Sequence, residues 1–517
     1  MSSKKEVARA AGIYTAGTLL SRLLGFGREV AIAYFLGTGM AADAFFVAFR
    51  LPNLWRRLFA EGSMVVVFVP IFTEYLTTKS RREAIHLARI VWTMLGAILL
   101  GLSILGIFLA PWLVKLIAPG FARVPEKFSL TVTLTRIMFP YVFLICLTAL
   151  AIAMLNALRH FTAPAFSYSL LNVSMIASLL LAHKLGWPGV YCLAGGVMIG
   201  GILQLGLQLP FLFKEGFTLR PLWNLHHPAL KRILILMGPA VIGAAVYQLS
   251  IFINTILASF LPEGSVSYLY YADRLVQFPL ALFAFSLGTA SLPTLSEQAV
   301  KKDYQEFKHT LAFGLQTVFF LIFPATLGLI IFKESIIALL LQRGAFSSAS
   351  TQATAQALYC YALGLVFFSA LRLLNNAFYA LQDTATPVKV SAFCLVFNLF
   401  LGILLMIPFK HAGLALTTSI VGCLNVMFLT YLLQKRIGRF FSSVFWQEIG
   451  KTTLAGLGMG LCLWLFKHHY PTNIFRQVFL GIPLGGFTFF IFASMLKCSE
   501  IITIKRLVGE KLGIKSG

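Results

Sequence analysis

Residues 88–118 read ARIVWTMLGAILLGLSILGIFLAPWLVKLIA, an apolar run whose charged residues stand near its two ends. An α-helix rises 1.5 Å per residue, so about 20 such residues cross a hydrocarbon core about 30 Å thick. This stretch therefore predicts a transmembrane helix, and the same reading recurs along the whole chain. Between charged or Pro/Gly breaks, about 14 spans are expected: 10–36, 41–75, 88–118, 131–157, 164–183, 188–213, 232–261, 265–296, 309–341, 352–381, 388–408, 412–434, 450–466 and 477–497. The fold class that follows is an all-α polytopic membrane protein.

Composition agrees. Of 517 residues, 58% are hydrophobic and only 12% charged, too few to cover a soluble protein of this size. The formal charge of +24 would suggest nucleic acid in a soluble domain. Here the excess follows the positive-inside rule, so no nucleic-acid partner is expected. The seven cysteines are scattered without CxxC or His pairing, and read as packed thiols, with no metal site. The first apolar run carries Arg22, Arg28 and Glu29 and reads as a retained span, not as a cleaved leader.

Lys and Arg mark one alternate set of loops: Lys4, Lys5 and Arg9; Lys79, Arg81 and Arg82; Lys214, Arg220, Lys231 and Arg232; Lys301 and Lys302; Lys435, Arg436 and Arg439; Lys505, Arg506 and Lys511. The other set has scattered cations such as Arg123 and Lys127. Both termini are thus expected in the cytoplasm, as an even span count requires. An internal repeat also shows. Val69–Glu74 matches Leu292–Glu297 with Pro70 and Pro293 in register 223 residues apart, and Pro164 and Pro387 have the same separation. An offset of about six helices preserves topology, which predicts parallel repeats. Residues 1–216 and 217–440 would form two six-helix lobes, with 441–517 an appendage of two helices and a cytoplasmic tail.

Charges inside apolar spans cost about 2.5–3.5 kcal/mol each on insertion scales, so they normally face a bundle interior or water. They concentrate in the first two spans: Arg22, Arg28 and Glu29, then Asp43, Arg50, Arg56, Arg57 and Glu61. Asp43, Arg50 and Arg57 recur every seven residues and share a face of an unkinked helix, although Pro52 and the Gly25/Gly27 pair could bend these helices. Arg56–Arg57 reads either as a snorkelling pair at a helix end or as a cationic cavity wall. In the second half, Asp273 and Arg274 are adjacent and cannot face each other on a helix, so each is expected to pair with another helix. Converging arginines imply an anionic ligand, because guanidinium forks grip phosphate oxygens and stay charged when desolvated. The acids Glu29, Asp43, Glu61 and Asp273 would hold the arginines while the site is empty. No P-loop, GxSxG or HExxH occurs, so neither an enzyme nor an ATP-driven pump is indicated.

Three blocks then point to a family. Ser21–Arg28, Gly39–Leu54 continuing through Arg56–Gly62, and Tyr270–Leu275 with Gln382–Lys389 closely resemble the MurJ (MviN) lipid II flippases of the MOP exporter superfamily. The resemblance implies two six-helix lobes around a central cavity plus two C-terminal helices. It places the substrate-binding cations on Arg22, Arg28, Arg56, Arg57 and Arg274, with Asp43 among their acidic partners. It further implies an inner-membrane monomer whose partners are lipid II and membrane lipids, with no cofactor, working by alternating access. Two departures stand out. Glu29 replaces a frequent Asp, and Gln277 replaces an acid found in some members. Spans 232–261, 388–408 and 412–434 lack Asp and Glu, so the sodium site of some members is expected to be absent or altered. The rival readings are a flippase for another polyprenyl-diphosphate oligosaccharide, a cation-coupled drug exporter of the same superfamily, and a non-transporting scaffold.

Overall fold

In the computed structural model the structure describes residues 2–57 and 64–501, and these are predominantly helical. The helices are α1 (Ser2–Leu36), α2 (Met40–Trp55), α3 (Met64–Thr78), α4 (Arg81–Ile117), α5 (Pro125–Met138), α6 (Tyr141–Ala157), α7 (Thr162–Leu185), α8 (Gly189–Lys214) and α9 (Pro228–Ser259). They continue with α10 (Ser265–Pro279), α11 (Phe285–Val300), α12 (Tyr304–Ile331), α13 (Lys333–Leu341), α14 (Ser348–Ala380), α15 (Ala385–Ile437), α16 (Ser443–His469), α17 (Ile474–Phe479) and α18 (Gly481–Met495). Among the described residues, 10 helical stretches are long and apolar enough to cross a membrane. Each of the 14 expected spans falls on one of these helices or on a broken pair.

The breaks have local causes. Pro279 withholds an N–H from the helical ladder, and a five-residue π turn, Leu280–Ala284, follows it before α11 begins. In α15, Lys410 adopts φ 51°, ψ −131°, which splits the element at the expected boundary between the eleventh and twelfth spans. In the second expected span, 41–75, α2 gives way just past Pro52 to a wide turn carrying Arg56 and Arg57. Glu61 lies outside the described residues. By contrast, Gly25 and Gly27 do not break α1, which is continuous.

Contacts group the chain into two compact units. The first comprises Met1–Ser267 with Arg343–Phe346, and the second Tyr268–Gln342 with Ser347–Gly517. In the first unit α3, α4, α6 and α9 enclose a core that includes Phe68, Phe72, Leu87, Val91, Leu150 and Ile233. Farther along α4, Ile98, Phe108, Trp112 and Leu116 are each more than half exposed. In a bilayer such side chains are solvated by lipid, so exposure of apolar bulk is expected there.

Because lipid tails are as apolar as leucine, helices in a membrane associate through close packing of small residues. The pair α7–α8 shows this. Gly196 and Gly200 are four residues apart on α8. A Cβ on Gly200 would lie 3.0 Å from Leu171 Cα, and one on Gly196 would lie 3.2 Å from Met175 Cα. Ser174 seals the approach by donating to the Gly196 carbonyl at 2.7 Å. Gly200→Leu is therefore expected to force the helices apart and to leave little folded protein. Abundance of the variant in membranes, with its melting temperature in detergent, measures this; wild-type values for both would refute the packing role.

The 223-residue offset reappears as geometry. Arg159 (φ 63°) and Gln382 (φ 58°) are both left-handed residues just past a helix end. Leu158 N–H donates to Met154 O at 3.0 Å and His160 N–H to Leu155 O at 2.8 Å; Leu381 donates to Ala377 O at 3.2 Å and Asp383 to Phe378 O at 2.9 Å. The two turns match hydrogen bond for hydrogen bond. Each turn is also tied to the end of a later helix, with opposite polarity. His160 Nε2 meets Glu215 Oε1 at 2.8 Å after α8, whereas Asp383 Oδ2 meets Arg436 at 2.8 Å near the end of α15.

Candidate functional site

In the first unit the site grows from one stripe of α1. A Cβ on Gly17 would come within 2.5 Å of the Ala165 carbonyl, and one on Gly25 within 3.6 Å of the Asn172 amide. The small residues at 17, 21 and 25 thus allow α7 to lie against α1, and Arg28 emerges one turn farther along the same stripe. Asn172, 6% exposed, is the organising residue. Its Nδ2 donates to the Ser21 carbonyl at 3.1 Å while its Oδ1 accepts from Arg28 Nη1 at 3.1 Å. Arg28 Nη2 donates to the buried Glu29 carboxylate. Arg28 is thereby oriented from two sides and its charge is balanced.

Arg56 stands in the wide turn after α2, its Nε donating to Asn53 Oδ1 at 2.8 Å. Arg56, Arg28 and Tyr168 all lie within electrostatic reach of Tyr141, a buried residue of α6. The Tyr141 hydroxyl donates to Gln204 Oε1 of α8 at 3.2 Å. Two of the expected cations, Arg28 and Arg56, thus lie in the neighbourhood of Tyr141. Arg57 is half-buried in the same turn as Arg56. Arg22 is exposed on α1 and makes no hydrogen bond or ion pair with the described residues.

The seven-residue face of α2 turns elsewhere. Asp43, 1% exposed, accepts from Lys127 Nζ at 2.7 Å, from the backbone N–H groups of Gly264 (2.8 Å) and Ser267 (2.9 Å), and from Ser267 Oγ at 2.6 Å. It balances Lys127 and caps the first turn of α10. Arg50, seven residues on, donates to the Ile251 carbonyl at 3.2 Å and to Thr255 Oγ1 of α9. Their shared face is a packing face, and the charge partner of Asp43 is a lysine, not one of the site arginines.

In the second unit, Asp273 and Arg274 do not face each other, yet both reach Gln277. Gln277 Nε2 donates to Asp273 Oδ2 at 2.5 Å, and Arg274 Nη1 donates to Gln277 Oε1 at 3.4 Å. A link within one helix therefore joins the pair. Positions i+3 and i+4 from the two charges make Gln277 the natural bridge. The Arg274 guanidinium lies 4.8 Å from the centre of the Tyr270 ring and donates to its hydroxyl at 3.3 Å.

Asn172, Tyr141, Tyr168 and Gln204 escaped the sequence reading, Lys127 was read only as a loop cation, and Gln277 only as a departure from the family pattern. The available signal for Asn172 and Gln204 was an amide within a long apolar run, which must find partners when buried. Asn172→Ala removes partners from both Ser21 and Arg28, so a loss of about 1–3 kcal/mol is expected. Thermal melting in detergent measures it, and an unchanged melting temperature would remove Asn172 from its organising role.

A family profile described as "Lipid II flippase MurJ" matches residues 32–483. The chain belongs to the MurJ lipid II flippase family. Among MurJ relatives, the "Lipid II flippase MurJ" of Burkholderia cenocepacia is 42% identical over 424 residues, covering 81% of this chain and 82% of the relative. The "Probable lipid II flippase MurJ" of Buchnera aphidicola is 36% identical over 487 residues, 93% of this chain and 95% of its own. A solved structure titled "Lipid II flippase MurJ, inward closed conformation" superposes with a TM-score of 0.81 at 28% identity, covering 94% of this chain and 99% of that one. A MATE multidrug transporter of the MOP superfamily is similar in fold, with a TM-score of 0.67 at 14% identity over 81% of this chain and 95% of its own. The protein is a multi-pass membrane transporter and not an enzyme. The profile match includes Arg56, Arg57 and Arg274 but begins after Arg22, Arg28 and Glu29.

Proposed function

We propose that this protein carries lipid II from the cytoplasmic to the periplasmic leaflet of the inner membrane by alternating access. Membership of the MurJ family supports the substrate. The Arg28 guanidinium, held within an apolar span by Asn172 and Glu29, supports the chemistry, and it is the observation on which the reading rests. In this proposal a cationic central cavity carries Arg22, Arg28, Arg56, Arg57 and Arg274, and these bind the diphosphate of the head group. The acids have divided tasks: Glu29 balances Arg28, Asp273 steadies Arg274 through Gln277, and Asp43 secures the helices around the site.

Residues 1–216 and 217–440 act as the two moving lobes, 441–517 are an appendage, and both termini are cytoplasmic. The protein works as a monomer, with the polyprenyl tail of its substrate remaining in lipid. An anionic head group leaving a negative cytoplasm gains about 2.3 kcal/mol per charge per 100 mV, so the membrane potential favours export and returns the emptied cationic site inward. Complementation of a flippase-depleted strain by the intact chain tests the reading. Growth with normal export of lipid-linked precursor is expected. Failure to support growth despite normal membrane abundance would overturn it. Collapse of the potential is expected to slow precursor export, and undiminished export would rule the coupling out.

A further inference from the structure

Away from this site, the first unit carries an amphipathic feature that transport does not use. The segment between α8 and α9 is irregular and pinned at Phe217 and Leu222. Phe217 is buried edge-on against Trp92, with ring centres 5.2 Å apart, and Leu222 packs into the α3–α4–α6–α9 core. Leu222 N–H donates to Thr93 Oγ1 at 2.9 Å, and Arg89 donates to the Arg220 carbonyl at 3.0 Å. That pinning turns Leu219, Trp223 and Leu225 outward, 47%, 65% and 71% exposed. Beside them, Pro228, Lys231, Arg232, Ile235 and Leu236 line an open groove of about 370 Å³ on the first two turns of α9. Its cations lie toward the helix start, and its exposed aliphatic side chains lie one turn deeper.

We infer that this groove binds an anionic phospholipid, its phosphate held by Lys231 and Arg232 and its acyl chain lying along Ile235 and Leu236. The order of the two chemistries along α9 matches that of a phospholipid, charged at the surface and apolar one helical turn below. Trp223 and Leu225 supply the interfacial anchor that such a site needs. Charge complementarity selects an anionic head group. Glu74 takes one donor of Arg232 at 2.8 Å, which orients the guanidinium and leaves its other N–H groups available. Lys231 is exposed, Arg220 adds charge on the same segment, and Lys79 and His86 both lie within electrostatic reach of His227 at the α9 N-cap. The local balance is positive despite Glu74. Because the groove lies within one unit and needs no precursor, the inference is independent of the transport reading.

The test uses the full-length protein in phosphatidylcholine nanodiscs containing a trace of photoreactive phosphatidylglycerol or photoreactive phosphatidylcholine, with labelled peptides mapped by mass spectrometry. The phosphatidylglycerol probe is expected to label residues 228–236 in preference to the phosphatidylcholine probe. Each cation near a membrane surface contributes about fivefold, so the Lys231→Gln/Arg232→Gln variant should lose roughly thirtyfold of that labelling. Lys301→Gln/Lys302→Gln, in the second unit, should leave it unchanged. Equal labelling by both probes would reduce the groove to ordinary lipid contact and overturn the inference. So would full labelling of the double variant, or displacement by millimolar inorganic phosphate, which would assign a free-anion site.

Discussion

Arg28→Ala is expected to abolish complementation of a flippase-depleted strain while the protein remains in the membrane at normal abundance. Arg28 is 14% exposed at its side chain and is held by Asn172 and Glu29, so its removal deletes a pre-oriented guanidinium. A hydrogen bond to a charged group contributes about 1.5–3 kcal/mol, and loss of two such bonds to a diphosphate lowers transport by roughly two orders of magnitude or more. Arg28→Lys separates charge from geometry. The ammonium keeps the charge but cannot present two parallel donors, so an intermediate defect is expected. Precursor export measured in cells, normalised to membrane abundance, reads both variants. Full export by Arg28→Ala would remove Arg28 from the binding site and contradict the proposed mechanism.

Lys127→Met should have the largest effect on stability. It strands the Asp43 carboxylate, 1% exposed, in a site built for a cation. Breaking a buried ion pair from one side costs about 3–5 kcal/mol, a large part of the stability of an ordinary protein. Asp43→Asn in the same background removes the orphaned charge and retains an oxygen acceptor for the start of α10. The double variant is therefore expected to recover a substantial part of the loss. Melting temperatures in detergent for the wild type, both single variants and the double variant form the cycle that isolates the pair. If Lys127→Met melts like the wild type, the pair carries no structural weight.

The arginines and the acids differed in how much of their environment could be read from the chain. Arg28 and Arg56 stood out because a charge in an apolar run is costly anywhere in the membrane, and that cost does not depend on packing. The seven-residue rule correctly set Asp43 and Arg50 on one face of α2, but a helical wheel carries no information on what that face meets. It meets Lys127, the start of α10 and α9, residues 84, 221 and 205 positions away along the chain. Lys127 itself looked like a loop cation, because α5 begins with polar residues and only its fold against α2 buries the amine. Asn172 was hidden for a related reason. A single amide in α7 gains its meaning from α1, which a stripe of small residues brings near.

Length, hydropathy and the placement of Lys and Arg follow from transfer energies that each segment has on its own, so the sequence by itself determined an all-helical, many-span membrane protein. The same holds for the break near Lys410 and for the repeat at a 223-residue offset, both set by short-range chemistry, whereas the break after Pro279 falls inside a span the sequence gives as one. Which charges pair, which face each helix buries, and which amides orient the arginines were decided only by the tertiary structure. Those choices depend on contacts between residues far apart in the chain, where Coulomb energy and hydrogen bonding act over a few ångströms and sequence separation has no bearing.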